Sequence, residues 1–235
     1  MICDSGSIVA GRRWIKISDC HDPNAHINSV GLTFDLDWAC DAVLKDSIDI
    51  VYKFDVPATW FVTHATPLLD RLRENPNYEL GIHPNFNPLL DGRDSRSMDS
   101  LIDDLSHSMV QSSRLMELFK RKGLLFDCNH FIPEQSRIEL RPWKLWNGIT
   151  KVPHFWEDDA TCIYEENATI ASLIARKGLK IFDFHPIHVF LNTEDLTRYE
   201  QSRASHSDAD SLLCHRYDGV GTRTYLIQLL EQTND

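Results

Sequence analysis

The 235-residue chain is 42% hydrophobic and 25% charged, values ordinary for a globular protein, and it is long enough for one full core. Its formal net charge of −11 argues against nucleic acid or an anionic membrane surface as the main partner. No apolar run approaches the roughly 20 residues that span a bilayer, and residues 1–7 carry no basic stretch followed by an apolar core, so a single cytoplasmic domain over residues 1–235 is expected. The six cysteines, at 3, 20, 40, 128, 162 and 214, form no Cys-x-x-Cys pair, which speaks against a disulfide framework or a thiolate zinc cluster.

In chain order, Ser29–Asp35 reads as a strand and residues 38–54 as a helix, with Val43, Leu44, Ile48 and Val51 on one stripe. Val56–Val62 predicts a second strand, Leu68–Arg73 a short helix and Tyr78–His83 a third strand. Residues 98–121 predict the longest helix, because Leu101, Leu105, Met109, Ser112, Met116 and Phe119 keep the 3.6-residue period and Gly123 follows as a stop. Leu124–Cys128 and Ile149–Phe155 read as strands, Ala168–Lys177 as a helix ended by Gly178, Leu179–His185 as a late strand and 222–231 as a closing helix. Repeated strand-then-helix units imply a parallel arrangement, an α/β barrel or a doubly wound sheet. The glycine fingerprints of nucleotide binding are missing.

Three predicted strands finish in polar groups: Asp35 and Asp37 after the first, His83-Pro84-Asn85-Phe86-Asn87 after the third, and His185-Pro186-Ile187-His188 after the late one. Strand alternation puts Asp35 and Asp37 on one side. Two carboxylates so close need a cation, a shared proton or water. A metal site and a solvated helix N-cap are the two readings of the pair taken alone. Carboxylate and imidazole together suit Zn²⁺ or another divalent first-row ion.

Thr33-Phe34-Asp35-x-Asp37, then Val56–Val62, then Glu79-Leu80-Gly81-Ile82-His83 resemble the opening of the polysaccharide deacetylase superfamily, carbohydrate esterase family 4. Phe182-Asp183-Phe184-His185-Pro186 is similar to that family's closing motif. The resemblance implies a distorted (β/α)7 barrel that removes N- or O-acetyl groups from sugars with a divalent metal, acting on a small-molecule or oligosaccharide substrate, and Zn²⁺ is the ion expected here. It implies Asp35 as general base, Asp37 and His83 as metal ligands and His185 as the acid that protonates the departing group. Two departures stand out: Leu36 separates the aspartates that the family places side by side, and Asn87 occupies the place of the family's second histidine. An amide oxygen is a weaker zinc ligand than imidazole. His64, His130 and His188 are the candidates to replace it, and Arg137 and Arg141 are candidates for the family's arginine.

Val152–Asp159 sets aromatics beside acids, a pattern that suits either sugar binding or an edge strand running into an acidic loop, and residues 191–218 read as a lid or a surface excursion. The expected function is a metal-dependent hydrolase that deacylates a sugar or glycan precursor. Hydrolysis of another non-peptide C–N bond, or carbohydrate binding without catalysis, are the alternatives.

Overall fold

The computed structural model describes residues 13–37, 39–83, 112–164 and 168–234. Its strands, in chain order, are β1 (Trp14–Ile15), β2 (Val30–Asp35), β3 (Ala58–Val62), β4 (Tyr78–Ile82), β5 (Phe126–Asp127), β6 (Trp143–Lys144), β7 (Thr150–Lys151), β8 (Trp156–Glu157) and β9 (Lys180–Phe184). The helices among these residues are α1 (Asp41–Phe54), α2 (Leu68–Glu74), α3 (Ser113–Arg121), α4 (Asp158–Tyr164), α5 (Ile170–Ile174), α6 (Pro186–Leu191), α7 (Leu196–Ser202), α8 (Ala209–Leu213) and α9 (Thr222–Asn234). None is long and apolar enough to cross a membrane.

A parallel sheet in the order β4-β3-β2-β9-β8, with β1 also paired to β2, forms the centre. Every residue of β2 is buried, as a strand covered on both faces requires. On one face, Phe34 stacks on Trp60 at 4.2 Å between ring centroids and tilts against Phe184 at 5.9 Å. The stripe predicted for α1, Val43, Leu44, Ile48 and Val51, is buried, and α1 packs against α6 and α9. On the other face the register aligns Thr33 with Asp183 and with Thr59. This is the α/β architecture that the strand–helix alternation predicts. A smaller sheet, β5-β7-β6, stands beside it. Among the described residues no strand pair joins the two sheets, although Phe131 and His154 form an isolated parallel bridge.

Two expectations need correction. The helix predicted over 98–121 is not continuous through Ser112, which has extended backbone (φ −153°, ψ 157°) and accepts the Leu115 N–H with its hydroxyl as the N-cap of α3. A serine at a periodic position can serve as a cap instead of an apolar stripe residue. Residues 98–111 lie outside the described residues. The strands expected over 124–128 and 149–155 shorten to β5 and β7.

Candidate active site

The polar groups predicted at strand ends gather at the C-terminal edge of the central sheet, where α/β folds keep their chemistry. Asp35 closes β2. The ladder continues one residue further, because Leu36 donates its N–H to Phe61 O at 3.0 Å, and Thr63 donates its hydroxyl to Leu36 O at 3.2 Å. Asp37 therefore returns to the side that Asp35 faces. His83 is held in the same way past β4, its N–H bonded to Val62 O at 3.0 Å. These tethers bring His83 Nε2 to 3.3 Å from Asp35 Oδ2 and 3.4 Å from Asp37 Oδ2. One ligand atom from each residue lies within 4.8 Å of the others. Two oxygens and a nitrogen in this arrangement form a donor set suited to a divalent first-row cation. Asn87 lies outside the described residues.

His185 follows β9 and caps α6, with Pro186 at the first helical position. Its Nδ1 is 2.7 Å from Asp158 Oδ1, and its backbone N–H donates to Asp158 Oδ2 at 2.8 Å. Burial alone would lower the His185 pKa, but the charge and hydrogen bond of Asp158 outweigh it and hold the pKa well above the usual value. The imidazole is thus kept cationic and in one orientation.

Further polar groups line the adjoining space. His154 Nε2 is 3.2 Å from Glu157 Oε2. Despite burial, which opposes both charges, this pairing raises the His154 pKa and lowers that of Glu157 to about 2. Asp183 accepts the Thr33 hydroxyl at 2.5 Å, and burial, followed by the nearby Asp35 charge, raises its pKa well above the carboxylate range. Burial likewise pushes Asp159 up to about 7. Lys151 Nζ, fully buried, donates to Asp127 Oδ2 at 2.7 Å and to Asn129 O at 2.8 Å.

Other sequence candidates fall elsewhere. His188 is buried, with Nδ1 3.1 Å from the Thr193 hydroxyl; His64 has Nδ1 2.9 Å from the Thr63 hydroxyl; the His130 ring meets Trp143 edge-on at 5.4 Å. Arg137 and Arg141 are exposed. Phe155 and Trp156 are no sugar platform: both are buried, packed on Phe182 at 5.1 Å and Phe184 at 4.8 Å respectively. Sequence reasoning missed Asp158, Glu157 with His154, and Asp183 as members of the site. Asp183 did carry a signal, since strand alternation puts it on the face of His185.

Two cavities adjoin the site. An inner one, about 380 Å³, is bordered by Asp35, His83, His154, Glu157 and Asp183. An outer one, about 990 Å³, is bordered by Asp159, His188, Tyr199, Arg203 and His206. Part of the 191–218 segment thus forms a wall of the outer cavity through α7 and the turn after it.

The model of the WbmS-like polysaccharide deacetylase family matches residues 32–203. Among solved structures, a proposed polysaccharide deacetylase involved in O-antigen biosynthesis from Bordetella bronchiseptica is 40% identical; the match covers 94% of this chain and 98% of that one, with a TM-score of 0.89. The peptidoglycan deacetylase PdaC from Bacillus subtilis is 18% identical, with coverages of 91% and 93% and a TM-score of 0.36. No curated protein matches this chain.

Proposed function

We propose that this chain, which belongs to the WbmS-like polysaccharide deacetylase family, is a metal-dependent hydrolase that removes an N-acyl group from an amino sugar of a surface glycan or its precursor. Membership makes it an enzyme of carbohydrate metabolism acting on carbon–nitrogen bonds of sugars. The observation that carries the finer reading is the opposition of two kinds of group on one sheet edge: a carboxylate–imidazole donor set at Asp35, Asp37 and His83, and a carboxylate-held imidazolium at His185.

Asp37 and His83 would hold the cation, with Asn87 as the family-position candidate for a further ligand. The donor set fits Zn²⁺ or another divalent first-row ion. Such a cation supplies Lewis acidity, polarising an acyl carbonyl and making water a better acid. Asp35 takes the proton from the attacking water. His185, charged because of Asp158, gives its proton to the amine nitrogen as the C–N bond breaks. Asp158 fixes which nitrogen of His185 is free to do so. Glu157 and His154 neutralise one another and leave Asp35 as the base beside Asp37 and His83.

Asp35→Asn tests the reading. Amine release from an N-acetylated amino sugar should fall at least 10²-fold while thermal unfolding is retained. Metal analysis of the wild-type protein should return about one divalent ion per chain, and Asp37→Ala should lower that content. Undiminished turnover in Asp35→Asn would overturn the base assignment, and a metal-free protein inert to added zinc would favour carbohydrate binding without catalysis.

A further inference from the structure

Two cavities adjoin the candidate site. Glu157, Asp159 and His185 each offer an atom within 4.8 Å of the others. Glu157 borders the inner cavity together with Asp35 and His83. Asp159 borders the outer one together with His188, whose ring meets that of His185 edge-on at 5.7 Å.

The inner walls are largely apolar, from Phe61, Leu80, Ile82, Leu124, Leu125 and Phe126. The acids among them have protein partners: Asp127 with Lys151 at 2.7 Å, Glu157 with His154 at 3.2 Å, Asp183 with the Thr33 hydroxyl at 2.5 Å, and Glu79 with the Thr59 hydroxyl at 2.7 Å and the Ser18 N–H at 3.1 Å. A cavity with apolar walls and internally bonded acids suits an alkyl chain better than a sugar, whose hydroxyls need polar groups of their own. The outer cavity carries Asp41, His64, Glu200, Arg203 and His206 on its walls, beside Ala39, Leu196 and Tyr199.

On the N-deacylase reading, on which this inference rests, the scissile bond has a direction. Its carbonyl carbon is attacked beside Asp35, and its nitrogen is protonated at His185. The acyl chain then extends past Asp35 and His83 into the inner cavity, which both residues border. A methyl group occupies about as much space as a water molecule, roughly 30 Å³, whereas the inner cavity measures about 380 Å³. We propose that the inner cavity is an acyl pocket and that the preferred substrates are amino sugars whose N-acyl group is an apolar chain longer than acetyl. Water adds its oxygen to the acyl carbon, the C–N bond breaks, and the products are the chain's carboxylate and the protonated sugar amine.

N-acetyl-, N-butyryl- and N-hexanoyl-glucosamine, with zinc present, test this by fluorogenic detection of the free amine. kcat/KM should rise along the series by up to about fourfold per methylene buried. Leu125→Trp narrows the cavity at a side chain that is 62% exposed, so the fold tolerates the change. It should flatten the series, retaining acetyl turnover and losing the hexanoyl advantage. Saturation-transfer NMR with sodium hexanoate should show transfer to the alkyl protons that exceeds transfer to acetate and is lost in Leu125→Trp. Acetyl as the best substrate with the longer chains rejected, or hexanoate showing no more transfer than acetate, overturns the pocket and leaves the deacylase reading in place. Release of no amine from any of the three overturns the deacylase reading, and the substrate assignment with it.

Discussion

Asp158 grips His185 twice, one carboxylate oxygen 2.7 Å from Nδ1 and the other accepting the histidine's own backbone N–H at 2.8 Å. Both residues are buried, so the contact is little screened by solvent. Asp158→Asn keeps the shape and removes the charge. The folded pKa of His185 lies above its unfolded value because of Asp158, so the pair's contribution to stability is full below about pH 6.5 and is lost as pH rises through the folded pKa. In the variant that pKa falls. On the proposed mechanism activity needs the protonated imidazole, so the alkaline limb of the pH–rate profile should move to lower pH and kcat at pH 8 should drop by about 10² or more. A profile that keeps its alkaline limb would remove His185 from the acid role.

The Lys151–Asp127 pair is equally enclosed, its Nζ–Oδ2 distance 2.7 Å and the lysine fully buried. Lys151→Met removes the cation and leaves a buried carboxylate without it. The expected cost is about 3–5 kcal/mol, because breaking one side of a buried pair exposes the other's desolvation penalty. Urea unfolding checks this. Adding Asp127→Asn should recover part of the loss.

The parts of the site that were legible in sequence are those that strand periodicity controls. Asp35 and Asp37 flank Leu36 at the end of a buried run, and alternation alone places both carboxylates toward His83. The acids Glu157, Asp158 and Asp159 were not legible in the same way. The strand ends at Glu157 and a helix begins at Asp158, so each of three consecutive acids points somewhere different: to His154, to His185 and to the outer cavity. Trp156 left two readings open for a related reason. An aromatic residue beside acids resembles a sugar platform, yet in β8 its neighbour across the sheet is Phe182, and the indole is spent on the core. Ser112 shows the same limit in a helix, since a cap and a stripe position share one spacing until backbone angles separate them.

His188 sits next to a cation and stays neutral. Its ring is 5.7 Å from that of His185, is tilted against that of Tyr199 at 5.1 Å and has Nδ1 3.1 Å from the Thr193 hydroxyl. Burial, reinforced by the charge on His185, lowers its pKa to about 4, against the opposing pull of Asp158. An unfolded chain protonates this histidine near pH 6.5. The folded pKa is depressed, so the stability is intact above about 6.5 and declines as pH falls from there toward 4. His188→Gln removes that proton linkage. The stability gap between wild type and variant, read from urea unfolding, should therefore be widest above pH 7 and narrow by about 2 kcal/mol at pH 5. Comparing the two proteins cancels the contributions of His154, His185 and the carboxylates, which titrate in both. A gap that stays constant from pH 7.5 to pH 5 would mean that His188 accepts its proton as readily in the folded protein as in the unfolded one, and that the charge on His185 does not constrain it.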